Sequence, residues 1–190
     1  MTSPQKSARE RILETAEVLF YRKGIRAVGI DTIIEKSGVA KMSLYRSFPS
    51  KDALVAAYLD ARGLRYWQWW DAVMARHPTQ PRRQLHDLFE AIAGRVRRPE
   101  YRGCAFVNAA TEFPEEGSRA RAVALAHKEE MRKRLFNLCR AIGANRPKAL
   151  ANQLLMLIDG AYTTAGILGK RDAVTATANA AEVLIDAAIA

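Results

Sequence analysis

A chain of 190 residues, 49% hydrophobic and 26% charged, can bury a sizeable core in one or two domains and is not a disordered or fibrous composition. Two cysteines, Cys104 and Cys139, are too few for a disulfide scaffold, and with no run of about 18 apolar residues there is no expected membrane span. The formal net charge of +10 and a pI near 9.9 favour polyanionic partners, nucleic acid first among them.

The opening MTSPQKSARE has no apolar stretch of the kind a signal peptide needs, so a cytoplasmic protein with reduced thiols is expected. Ser7 and Glu10 have the spacing of a capping box, in which each satisfies a backbone N–H of the other. Ile12, Ala16, Leu19, Phe20 and Lys23 then mark a helix that Gly24 ends. Beyond Gly29, Ile30, Ile33 and Ile34 give one apolar face to a helix closing near Ser37, with Asp31 and Glu35 outside. Gly38 stands where a tight turn needs a left-handed backbone, and Val39 is placed to plug the angle between helices. The next helix, Lys41 to Phe48, spans only about 10 Å at 1.5 Å per residue, a length suited to a groove about 12 Å wide. Leu44 and Phe48 should anchor it inward, leaving Lys41, Met42, Ser43, Tyr45, Arg46 and Ser47 at or near the outer side. Arg46 has the fork that pairs with guanine O6 and N7. Lys41 suits a base or a phosphate, and the Ser43 and Tyr45 hydroxyls suit phosphate oxygens.

Ser50 is placed to cap a long helix from Lys51 to about Ala75, whose N-terminal amides and Lys51 ammonium suit another phosphate. Pro78 and Pro81 punctuate the next turn, and Pro81 opens a helix to about Arg98. Pro99 and Gly103 break it. A short helix follows, ended by Pro114 after Phe113. Ser118 to Ala141 is amphipathic and stopped by Gly143. Pro147 opens a helix to about Leu168, with Gly169 past its end, and Asp172 is placed to cap the last, which runs toward Ala190. No alternating strand run or hairpin dipeptide interrupts the series, so the expected fold class is all-α with about nine helices.

Charge does not point to the short helix. Residues 1–60 carry a net +3, residues 61–140 carry +7, and residues 141–190 are neutral. Tyr66, Trp67, Trp69 and Trp70 adjoin on one helix, where neighbours lie about 100° apart and cannot share a face. Leu154, Leu157, Ile158, Ala161, Ala165 and Leu168 form an apolar stripe. With Gly160, Gly166 and the alanines from Ala173 to Ala190, that stripe is expected to pair two copies through the last two helices. A monomer that satisfies the stripe internally is the alternative. His77, His86 and His127 show no metal-ligand spacing, and there is neither a phosphate-binding loop nor a nucleophile elbow, so no metal, cofactor or catalytic residue is expected. Cys104, following Gly103 at a helix start, leaves open a redox-sensing thiol.

The run GVAKMSLYRSFPSK, with Ile12, Ala16, Phe20, Gly24, Ile33, Ser37 and Leu54 around it, resembles the DNA-binding domain of the TetR family of transcriptional regulators. The similarity covers about Ala8 to Leu59, and a second stretch, RGCAFVNAATEFP from Arg102 to Pro114, is similar to a motif of one subset of that family. The resemblance implies nine helices and a helix-turn-helix domain over residues 1–50, extending to about 60. Residues 51–190 would form a ligand-binding and dimerisation domain. It implies a homodimeric repressor released from double-stranded operator DNA by a small, partly hydrophobic effector. The contacts it implies with DNA are Thr32, Lys41, Met42, Ser43, Tyr45, Arg46 and Lys51. On the ligand side it points to Trp67 and Trp70, to Phe106, Asn108, Glu112 and Phe113 on the sixth helix, and to Asp159 and Tyr162 on the eighth. The chain departs from the common pattern at Ala40, Met42 and Gly29, where many relatives have Ser, Gly and Thr. The alternatives are a helical small-molecule-binding protein or enzyme with an incidental basic surface, and a protein that coats DNA without sequence preference.

Overall fold

The computed structural model describes residues 6–165, 167 and 170–190. Its helices are α1 Ala8–Lys23, α2 Ile30–Ser37, α3 Lys41–Ser47, α4 Lys51–Met74, α5 Pro81–Val96, α6 Ala105–Glu112, α7 Arg119–Ala141, α8 Pro147–Thr164 and α9 Lys170–Ile189. Among the described residues there is no strand. Helix starts follow the sequence signals closely. The Ser7 hydroxyl accepts from the Glu10 amide while the Ser7 amide donates to Glu10, and the Ser50 hydroxyl accepts from the Ala53 amide. Pro81 and Pro147 open α5 and α8. Two ends differ from expectation. α8 stops at Thr164, and α9 is under way at Lys170, so Asp172 falls inside its first turn instead of before it. Gly166, Leu168 and Gly169, and the side chains of Asp172 and Ala173, lie outside the described residues.

The chain divides into two compact units, Met1–Gly63 with Ala105–Leu125, and Leu64–Cys104 with Ala126–Ala190. α6 and the start of α7 group with the first unit. Polar contacts between residues 112–115 and the α1–α2 loop, described below, lie within that unit, and no local pattern announces them.

In the first unit α1 packs on both α2 and α3. Ile12, Ala16 and Phe20 of α1, Ile33 of α2 and Leu44 of α3 are all buried, with Phe48 just past α3. Leu54, Val55 and Tyr58 of α4 are buried too, and the Tyr58 ring meets Phe20 edge-on at 5.5 Å. Gly38 has φ 62 and ψ 30, the left-handed turn its position demanded, and its amide closes α2 on the Ile34 carbonyl. Val39 is buried at the corner.

The second unit has one core. Leu85, Leu88 and Ile92 of α5, Met131, Leu135 and Cys139 of α7, Leu150, Leu154 and Ile158 of α8, and Ala181 and Ile185 of α9 meet in it. This corrects the expected association stripe. Leu154, Ile158, Ala161 and Ala165 are buried within their own chain, since the most apolar face of α8 is claimed by α5 and α9. The exposed face carries other residues, Met156 and Gly160 on α8 and Val183 on α9, with Met156 at 74% and Val183 at 68% exposure.

His127 is buried beside the Tyr66 and Trp67 rings, at 4.9 and 4.7 Å between centroids. Burial, with the neighbouring Lys128 charge, pushes its pKa down to about 3. An unfolded histidine titrates near 6.5, so between these values the unfolded chain binds the extra proton and acid favours unfolding. Stability should therefore fall as pH drops below about 6.5, with His127 contributing up to about 1.4 kcal/mol per pH unit. In urea unfolding between pH 7 and 4, His127→Gln should flatten the slope; parallel curves would show that His127 is not held neutral.

The turn gives a second expectation. A Cβ at Gly38 would meet the Arg11 guanidinium at 2.9 Å and must adopt φ +62. Gly38→Ala should lose about 1–2 kcal/mol in chemical denaturation, the left-handed penalty for a residue with a side chain; an unchanged midpoint would contradict this geometry.

Candidate nucleic-acid interface

α3 is short because Gly38 precedes it and Pro49 follows, and it is held by one buried leucine. With Leu44 fully buried, the positions two and three residues before it and one and two after it turn outward. Lys41, Met42, Tyr45 and Arg46 are all exposed, as i, i+1, i+4 and i+5 must be on one helix face. Met42 is 74% exposed and Tyr45 41%, so the tyrosine ring lies at the rim and is not a core residue. Ser43 and Thr32 are half-buried. The Ser47 hydroxyl donates back to the Ser43 carbonyl at 2.9 Å.

The charges of this face are loosely held. The Lys41 ammonium lies 3.8 Å from the Asp31 carboxylate with both side chains largely exposed, a pairing worth about 0–1 kcal/mol. A phosphate could displace it at little cost. Among the described residues Arg46 forms no hydrogen bond or ion pair, so its five donors remain available. Burial pulls the Lys51 ammonium below its ordinary pKa, and the Glu112 and Asp52 carboxylates oppose that shift. Neither Gly29 nor Ala40, which cap α2 and α3, supplies a side-chain bond to the following amides. The departures from the common pattern thus leave helix N-terminal amides without a capping oxygen from the cap residue.

The helix-turn-helix is braced by a residue the sequence did not single out. Arg11 on α1 donates one guanidinium nitrogen to the Ser37 carbonyl at 2.6 Å and the Gly38 carbonyl at 3.1 Å. These are acceptors at the end of α2, and the partners are 26 and 27 positions away in the chain, beyond any helical period. Arg9 lies over the Phe48 ring at 4.9 Å. The only sequence signal for either would have been their place on the first two turns of α1.

The eight ligand-side candidates fall into both units. In the first, Phe106 is buried and Asn108 half-buried. Glu112 accepts from the Ile25 and Arg26 amides, and Phe113 lies under the Arg26 guanidinium. Glu112, expected as a polar group facing a ligand, has both carboxylate oxygens engaged by backbone. In the second unit Trp70 and Tyr162 are buried, and the Trp67 ring lies 6.0 Å from that of Trp70. Arg134 and His127 each lie within 5 Å of Trp67. Asp159 is paired with Lys128. The Tyr162 hydroxyl faces that of Tyr66 at 3.4 Å, and burial pushes both phenols above their ordinary pKa. Burial likewise raises the Cys139 thiol to about 11, which keeps it protonated. Cys104 is half-buried and packs against the core of the second unit. Among the described residues no three of His, Cys, Asp or Glu converge as a metal-holding group, and no helix is long and apolar enough to cross a membrane.

Residues 12–58 match the family model described as bacterial regulatory proteins, tetR family. A TetR-family transcriptional regulator from Streptomyces coelicolor is 30% identical, covers 96% of both chains and superposes with a TM-score of 0.92. A putative TetR transcriptional regulator from Streptomyces avermitilis is also 30% identical, over 96% of this chain and 98% of that one, with a TM-score of 0.84. The transcriptional repressor ComR of Escherichia coli is 27% identical over 138 residues, 72% of this chain and 66% of ComR. An outward-facing α3 locked against α1, carried by a fold that two relatives share along nearly their whole length, leaves one assignment: the chain belongs to the TetR family of DNA-binding transcriptional regulators and is not an enzyme.

Proposed function

We propose that the protein is a cytoplasmic homodimeric repressor that leaves a two-fold symmetric operator when a small, partly hydrophobic effector binds. The observation that carries the reading is α3 itself, with Leu44 buried and Lys41, Met42, Tyr45 and Arg46 outward. On this reading Arg46 and Lys41 reach base edges in the major groove and Met42 lies against them. Thr32, Ser43, Tyr45 and Lys51 hold phosphates on either side.

One α3 covers a half-site only, and helix-turn-helix proteins gain specificity by presenting two. The exposed Met156 and Val183, with Gly160 on the same side of α8 as Met156, support a pairing surface on the outer face of α8 and α9. The sense of regulation is supported by ComR, which is itself a repressor. For the effector, the support is aromatic and lies within the second unit, where buried Trp70 and Tyr162 and half-buried Trp67 offer apolar surface with few polar groups. Asp159 contributes less to that set, because Lys128 already occupies it. An effector can shift the equilibrium only by binding the released form more tightly than the DNA-bound one.

Footprinting of the purified protein on the DNA flanking its own gene tests the reading. It should protect a palindrome whose half-sites lie about one helical turn apart or a multiple of it. The absence of any protected palindrome at moderate salt would contradict it.

A further inference from the structure

The Arg102–Pro114 motif is not used by the DNA reading, and its last residues converge on the loop between α1 and α2. The Ile25 amide donates to Glu112 Oε1 at 3.0 Å, and the Arg26 amide donates to Oε2 at 2.7 Å. Phe113 lies 5.2 Å below the Arg26 guanidinium, which pairs with Glu115 at 2.9 Å. Gly24 completes the contact. It has φ +91, and a Cβ there would come within 3.3 Å of Glu112 Oε1, so the approach of the carboxylate depends on a residue with no side chain. Three consecutive loop residues thus meet 112, 113 and 115, from a segment 86 or more positions away.

These contacts are unequal. Arg26 and Glu115 are each about 60% exposed, and such a pair holds little by itself. Glu112 is half-buried, and an ionised carboxylate taking two amide protons belongs to the strong class of hydrogen bonds. It also faces Lys51, whose ammonium it favours electrostatically. One carboxylate therefore binds the loop that leads into α2 and acts electrostatically on the residue that opens α4, the next helix after α3. Only a carboxylate, from Glu or Asp, offers a separate acceptor oxygen to each amide, as Glu112 does. Glutamine has one acceptor oxygen and would turn its own N–H groups toward the second amide.

We propose that Glu112 is a positioning residue for operator recognition. It fastens the entry of α2 to the end of α6, so the presentation of α3 depends on where α6 sits. The proposal rests on the DNA-binding reading and deepens it by naming the residue through which the helix-turn-helix is held and adjusted.

The test uses the full chain, with Glu112→Gln and Glu112→Ala beside Ile185→Val, a core variant of the second unit that loses stability without touching the loop. Amide exchange followed by NMR should speed up at Ile25 and Arg26, and about tenfold across Ile30–Ser47, in both Glu112 variants and not in Ile185→Val. Affinity for the footprinted operator should fall about tenfold, while affinity for scrambled DNA and the salt slope change by less than about twofold, because no phosphate-binding cation is removed. Unchanged exchange across Ile30–Ser47 would overturn the proposal, as would an affinity loss equalled by Ile185→Val. If the wild-type chain prefers no DNA sequence, the DNA reading fails on that result alone, and the exchange data still decide whether Glu112 holds the helix-turn-helix.

Discussion

The angle between α2 and α3 is set at one backbone position. Gly38 supplies a left-handed residue that a side chain would strain, and Arg11 crosses from α1 to bind the carbonyls on both sides of the turn. Those carbonyls lie at the C-terminal end of α2, where the helix dipole is negative, so a guanidinium there satisfies orphan acceptors and the dipole together. The remaining features of the first unit follow from this corner. Val39 fills it, Leu44 and Phe48 fasten α3 beneath it, and the outward face of α3 is what remains. A helix of seven residues has too few internal hydrogen bonds to stand alone, so its direction is lent by α1 and α2.

Electrostatics supplies attraction but not the discrimination. Most of the positive excess lies in residues 61–140, away from α3 in the chain, and such a field speeds encounter with any polyanion. Selectivity must come from placed groups. Arg46 is exposed with no partner among the described residues, and Lys41 is held only by a solvent-exposed pair with Asp31. A protein built this way binds DNA in general through many weak charges and a particular site through a few short-range donors.

The helices were legible in the sequence because their signals are local. Ser7 with Glu10, Gly24, Gly38, Pro81 and Pro147 each act within one turn of their own position, and the structure puts helix ends there. The outer face of α3 was legible for the same reason: Leu44 alone fixes which neighbours point away. Long-range partnerships were not legible. Nothing about Glu112 in the sequence says that it meets Ile25 and Arg26, and nothing about Arg11 says that it meets Ser37. The α8 stripe shows a different limit. Period 3.6 locates an apolar face but does not say whether its partner is the same chain or a second copy, and here Leu154, Ile158, Ala161 and Ala165 are satisfied at home.

On the proposed function α3 reads sequence through a few donors, chiefly Arg46. The most direct test of that reading is the affinity of Arg46→Ala for the operator and for a set of single-base variants of it. A loss of about 1–3 kcal/mol is expected, with discrimination erased at one base position in each half-site and retained elsewhere. A uniform loss across all sequences would make Arg46 a phosphate contact, and no loss would remove Arg46 from the interface; either result contradicts a base-reading Arg46.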